Sequence, residues 1–448
     1  MKRPQLILHI GIQKTGSTSI QRALESNIKL LNSEMIYYPL EFVNNIFGKE
    51  LNTLINNELL YYAKYGEGKV VEEQRKKTER FVSKAIKKFF RSKCEKMIVS
   101  DESFYPRWDI IEFYEDISNI RQNEKDGVDN IFGFYVFCED LYKEKLKRLK
   151  QLFKDFDIEI ICYLRRQDLQ FESHYNQVIK AMTLLPIFEK NKIYLEEFKE
   201  LYGFPFHELT SSDYPRFFYD FLVYRYRNLC YYETLSVWAD VFGKESILIK
   251  PFEQRLFKNG LVEDFFVDVF NIDKNKLVDN GQRHLYKRIS RDLVEYIITL
   301  NNIPKRVHTE TLEKISLKLN NICMYHHYFS TNDRMQLLNY FKEGNEKIAR
   351  KFLNREDGIL FYEDIDTKQE AYPGLSIETK LFLDKEFEQF FKRSYRICFI
   401  IQIFIEVKKR VQNYLITNKN LKIIGKIKVY LYSIVIMCGK TIKRFSIG

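Results

Sequence analysis

The first apolar run of the sequence, Leu6 to Ile10, stops at Gly11 and gives way to a stretch rich in Lys, Gly, Ser and Thr. A run of that length with β-branched residues predicts a buried strand. Shorter or similar runs follow at Met97 to Val99, Ile158 to Leu164 and Ser246 to Lys250. Between them the apolar positions recur at helical spacing. Residues 140–156 carry Leu146, Leu149, Leu152 and Phe153 on one stripe, and Leu169 to Lys180 and Tyr231 to Val241 also predict helices. A helix is expected to start near Ser17 to Ile20. Residues 28–95 read as mostly helical, with a charged face from Glu72 to Arg91, and so do residues 285–350. Strands alternating with helices predict an α/β domain built on a parallel sheet with crossover helices.

Composition narrows this only a little. The chain has 448 residues, 45% hydrophobic and 30% charged, which is a globular composition. Its seven cysteines are odd in number and widely spaced without any CxxC, which points to reduced thiols in a cytoplasmic protein. The run after Lys2 and Arg3 is too short for a signal-peptide core, and no small-residue cleavage site follows it.

Charge changes the picture more. The net charge is +11, but residues 391–448 hold 13 basic residues against the single acidic Glu406, so that segment alone carries +12 and the rest of the chain about −1. A domain over residues 1–375 and a basic amphipathic helical tail over 376–448 are expected. The tail's apolar runs, within 396–416 and 426–440, are about a dozen residues or fewer, short of the ~20 that span a bilayer. Basic residues flank both. That composition suits a segment lying on anionic lipid, and its alternative is a pair of helices packed on the domain. Nucleic acid is not an expected partner, because the body is neutral and carries no recognisable binding module.

The chemistry begins where the first strand ends. Residues 6–21 read LILHIGIQKTGSTSIQ, a strand, a glycine-containing loop and a hydroxyl-rich helix start. Backbone N–H groups at such a helix start face an anion, and the helix dipole favours negative charge there. Gly16 is expected to let a ligand approach the backbone, and Ser17, Thr18 and Ser19 offer hydroxyl donors. The order is not that of a Walker A loop, in which Lys directly follows the second Gly; here Lys14 precedes Gly16 by two residues. In a second stretch, YLRRQDLQFESHYNQ, a strand ends in Arg165 and Arg166, and Ser173 follows Arg165 by eight residues on a helix. An arginine fork at a strand end and a hydroxyl on the returning helix can meet on one phosphate.

These two motifs together resemble those of sulfotransferases that use 3′-phosphoadenosine 5′-phosphosulfate (PAPS), and in particular bacterial members acting on polysaccharides or lipid-linked glycans. The family has a K-[ST]-G-[ST]-[ST] loop after its first strand, matched here by Lys14 to Thr18, and a strand-end Arg with a Ser eight positions on, matched by Arg165 and Ser173. IVSDESF at 98–104 and the segment from Tyr231 to Leu261 are similar as well, and the likeness runs from about residue 5 to about 305. The resemblance implies a P-loop-like sulfotransferase fold with helical insertions. It implies PAPS as co-substrate, held by Lys14, Thr15, Gly16, Ser17 and Thr18 at the 5′ side and by Arg165 and Ser173 at the 3′-phosphate. It also implies a weaker role for Arg283, beside His284, in closing over the donor.

Transfer to a sugar hydroxyl asks for charge stabilisation and a base. Lys14 is placed to neutralise charge on the bridging oxygen. Glu102, following the strand-like IVS, is the first candidate for the base, and His174 the second. His9, inside the first strand, is expected to be a packed core residue. The chemistry requires no metal, and Cys323, His326 and His327 lack partners for a metal site. The expected acceptor is a carbohydrate. A P-loop kinase or NTPase, or a non-catalytic nucleotide- or glycan-binding relative, are the readings that compete.

Overall fold

The computed structural model describes residues 3–39, 47–105, 130–180, 229–278, 289–299, 309–319, 327, 331–365 and 372–388. Contacts divide the chain into two units, one of residues 1–317 with 324–374 and one of residues 318–323 with 375–448.

The first unit is an α/β layer structure. In chain order its elements are β1 (Gln5–Gly11), α1 (Ser17–Ser26), α2 (Ile28–Ser33), β2 (Ile36–Tyr37), α3 (Phe47–Tyr65), α4 (Lys69–Ser92), β3 (Lys96–Ser100), α5 (Asn130–Leu152), β4 (Asp157–Leu164), α6 (Gln167–Lys180), α7 (Tyr231–Phe242), β5 (Ile247–Pro251), α8 (Leu261–Phe270), α9 (Arg291–Thr299), α10 (Thr309–Leu319, whose last two residues fall in the second unit) and α11 (Thr331–Leu353). The strands form one five-stranded sheet, all pairs parallel, in the order β2-β3-β1-β4-β5.

The central strands are apolar because both faces of the sheet are covered. Ile7, Ile98, Ile161 and Tyr163 point to one side and pack with Ile20 and Leu24 of α1 and with Phe265, Phe266 and Phe270 of α8. Leu6, Leu8, Met97, Val99, Ile160 and Cys162 alternate with them and are equally buried. Each such side chain stabilises the fold by about 1.5–3 kcal/mol when fully buried. Helix α4 shows the same logic from the surface. Val71, Thr78, Val82, Ala85 and Phe89 recur at helical spacing and are buried, while the lysines and glutamates between them face out.

Strands β1, β3, β4 and β5 and helices α6 and α7 lie within two residues of their expected positions, whereas α8 falls where no helix is expected. Strand β2 is not among them, because it interrupts at Met35 the segment from 28 to 95 that reads as mostly helical. That residue has φ 61°, and the two-residue strand Ile36–Tyr37 then pairs with β3. Helix α5 also starts ten residues earlier than the stripe of leucines indicates.

The second unit, among the described residues, holds a helix over 377–388 with Leu383 and Phe387 buried, and Lys318 pairs with Glu386 at 2.7 Å. Residues 391–448, which carry the basic charge, lie outside the described residues. No helix among the described residues is long and apolar enough to cross a membrane.

Candidate functional site

Strand order fixes where a ligand can bind. From β1 the chain moves outward to β2 and β3, and from β4 it moves the other way to β5. The carboxyl ends of β1 and β4 therefore flank the point where the winding reverses, the usual crevice for ligands in an open parallel sheet. Both sequence motifs leave the sheet there.

The loop after β1 is held by its own carbonyls. A register shift between His9 and Gly11 bends the strand end, and Ile12 still donates to Tyr163 O at 3.0 Å. Thr15 Oγ1 and Ser17 Oγ donate to Ile12 O at 2.6 and 3.2 Å. Gln170 Nε2 of α6 donates to Gln13 O at 2.7 Å, and Arg165 Nη1 donates to Lys14 O at 3.1 Å. Lys14 and Gly16 both sit in the left-handed region, at φ 65° and 81°. Gly16 is the N-cap of α1, and no side chain caps that helix.

The hydroxyls of Thr15, which is fully buried, and of Ser17 donate to the loop's own Ile12 carbonyl and so shape the loop. At Gly16 a Cβ would lie 2.1 Å from Leu261 Cδ2 at the start of α8. Thr18, half-buried at the first turn of α1, keeps its place beside the loop.

Lys14, Arg165 and Lys180 form the cationic part of the site. Burial pulls the Lys14 ammonium down to about 8, the neighbouring charges of Lys180 and Arg165 act in the same direction, and Glu102 opposes them. Arg165 stacks over the Phe252 ring, 5.5 Å from guanidinium carbon to centroid, and its own carbonyl accepts from Tyr231 Oη at 2.7 Å. Lys180 ends α6, is nearly buried and donates to Glu313 Oε1 at 2.9 Å. Sequence reading missed Lys180; its only sequence signal is that it lies two helical turns beyond Ser173 on one face of α6. Ser173 itself is half-buried.

Glu102 stands over the start of the loop. A Cβ on Gly11, whose φ is 84°, would come within 2.7 Å of Glu102 Cβ, so only glycine fits beneath it. Gln21 Nε2 of α1 donates to Glu102 Oε2 at 3.1 Å and to Ser100 O at 3.3 Å. The short turn Glu102–Phe104 is capped by Asp101, whose Oδ1 accepts from Ser103 N at 2.7 Å, so the capping role falls to Asp101 and leaves Glu102 to face Lys14.

His174 is buried on α6 at 6% exposure, about 100° around the helix from Ser173. His9 is a core residue: its Nδ1 lies 2.7 Å from Ser100 Oγ, its ring packs on Tyr163 and Phe265, and burial pulls it down to about 3. Arg166 turns away from the crevice. It forms a fork on Asp168 at 2.8 and 3.0 Å and donates to the carbonyls of Glu363 and Asp364. Asp168 and Glu172, one helical turn apart, both also pair with the buried Arg334 of α11, and His327 adds a contact 3.2 Å from that guanidinium. This network braces α6 from behind. Arg283, His284, Cys323 and His326 lie outside the described residues, and among the described residues no group of side chains could hold a metal ion.

Fold and site together define an α/β protein with a five-stranded parallel sheet and a cationic strand–loop–helix crevice at its winding reversal. No family model matches the chain, and no solved structure matches it. An uncharacterised protein of Archaeoglobus fulgidus is 24% identical over 212 residues, covering 46% of this chain and 49% of its own length. The chain thus spans about half the length of the curated relative it matches.

Proposed function

We propose that this chain is a PAPS-dependent sulfotransferase that passes a sulfuryl group to a carbohydrate hydroxyl. The observation that carries the reading is the Arg165–Lys14 contact, which brings the two family-like motifs, 151 residues apart in sequence, to one crevice. A donor with phosphates at both ends of its ribose suits a site where Lys14, Arg165 and Lys180 lie close enough to repel one another's charge.

In this reading the loop and the uncapped start of α1 hold the 5′ end of the donor, and Arg165 with Ser173 holds the 3′-phosphate. Bound there, PAPS supplies the sulfuryl group, its sulfur gaining a bond to the acceptor oxygen as the bond to the bridging phosphate oxygen breaks and adenosine 3′,5′-bisphosphate leaves. Lys14 neutralises the charge left on that bridging oxygen. Glu102, steadied by Gln21, takes the acceptor proton. The basic segment 391–448 would hold the enzyme on anionic lipid at the cytoplasmic face of a membrane, near a glycan acceptor.

Thermal melting separates this reading from a kinase or NTPase. Adenosine 3′,5′-bisphosphate without metal should raise the midpoint, and ATP with Mg²⁺ should not match it. Stabilisation by ATP·Mg²⁺ alone would overturn the proposal. For the base, Glu102→Gln should lower kcat about 10²-fold or more with bisphosphate affinity kept, in line with general-base contributions.

A further inference from the structure

The three successive carbonyls of Ile12, Gln13 and Lys14 each accept from a side chain: Thr15 and Ser17 on the first, Gln170 on the second, Arg165 on the third. In a trans peptide the C=O and the following N–H point in opposite directions. Tying down a carbonyl therefore aims the next residue's N–H the other way, and here the amides so aimed are those of Gln13, Lys14 and Thr15. Left-handed residues at Lys14 and Gly16 give the backbone the alternation that gathers successive N–H groups into an anion-binding hollow.

Gln170 is the unexpected member of this set. It lies on the first turns of α6, is 95% buried, and its Nε2 reaches Gln13 O at 2.7 Å. Its other amide atom, Oε1, is buried with no hydrogen-bond partner among the described residues. A buried amide with an unsatisfied oxygen is a destabilising choice for a core position. The one thing it supplies here that an apolar side chain could not is the N–H on the loop.

We infer that Gln170 is a positioning residue for the donor site: by holding the Gln13 carbonyl it aims the Lys14 amide at the 5′-phosphate of the bound nucleotide. The inference rests on the proposed donor reading. It adds that helix α6, which offers Ser173 to the 3′-phosphate, also sets the loop for the 5′ end, so one helix spaces the two anionic subsites. A nucleotide with phosphates at both positions would be selected over one lacking the 5′ group through this link.

The test is calorimetric titration of the full chain and its Gln170→Leu variant with adenosine 3′,5′-bisphosphate and with adenosine 3′-monophosphate. Leucine keeps the volume and removes the donor, and Gln170→Met serves the same purpose if the leucine variant does not fold. The expected result is an affinity for the bisphosphate about tenfold weaker, a loss typical of one oriented hydrogen bond, with the 3′-monophosphate bound as by wild type. Unchanged bisphosphate affinity, or an equal loss for both nucleotides, overturns the positioning role, since a general weakening of the fold would not distinguish the 5′ group. Failure of the wild-type chain to bind the bisphosphate at all would instead overturn the donor reading beneath it.

Discussion

Arg165 Nη1 donates to the carbonyl of Lys14 at 3.1 Å, so the residue that follows β4 holds the loop that leaves its neighbour β1. The guanidinium has five donors in a fixed fork, and this bond uses one of them on the protein itself.

Replacing Arg165 by lysine should therefore cost more than the loss of a fork on phosphate. The charge stays, but lysine's point charge does not reproduce planar donation to carbonyl and anion together. Affinity for adenosine 3′,5′-bisphosphate should fall about tenfold or more in Arg165→Lys, and further in Arg165→Ala, when measured by titration calorimetry. Equal affinity in all three proteins would remove Arg165 from the site.

The pH dependence of that affinity should follow Lys14. Its ammonium, pulled down to about 8 by burial and by the cations beside it, is charged below that value and neutral above it. An anionic ligand needs the charge. Bisphosphate binding should hold steady at neutral pH and weaken as pH rises through about 8. In Lys14→Arg, where the charge persists at every accessible pH, the decline should be absent.

At Gly16 the expected effect is on stability. Alanine would place its Cβ 2.1 Å from Leu261 Cδ2 in a backbone conformation that L residues disfavour. Overpacking and backbone strain together should destabilise Gly16→Ala by about 2–4 kcal/mol in urea unfolding. Trimming the neighbour in a Gly16→Ala/Leu261→Ala double variant should restore part of the overpacking loss and none of the strain.

The buried network on α6 makes a sharper stability prediction. Removing Arg334 takes a cationic partner from each of the buried carboxylates Asp168 and Glu172. Arg334→Met should cost about 3–5 kcal/mol, as expected when a buried carboxylate loses its partner. Urea curves of the variant and the wild-type chain would show it.

Much of this was legible along the chain, and the parts that were not share a cause. Strands β1, β3, β4 and β5 announce themselves as apolar runs because both sheet faces are covered. Ile36–Tyr37 does not, being two residues between helices. Lys14, Gly16, Arg165 and Ser173 stand out through residue type and spacing. Gln170 and Gln21 do not, since a glutamine on a helix has no periodic signature and acquires its role only when a carbonyl or carboxylate arrives from elsewhere. Helix α6 is the extreme case. Asp168, Gln170, Glu172, His174 and Asn176 are polar yet buried, so its sequence hides an interior helix behind a surface composition. The reason lies in Arg334, 166 residues downstream of Asp168.

That separation has a consequence for how the protein is made. Chains are synthesised at about 5–20 residues per second, and Glu172 precedes its partner Arg334 by 162 residues. Helix α6 therefore emerges from the ribosome roughly 10–30 s before the cation that neutralises it. In that interval Glu172 lacks the buried cation it pairs with in the folded chain. The packing of α6 behind the crevice thus waits on α11, although the loop after β1 is among the first segments to be synthesised.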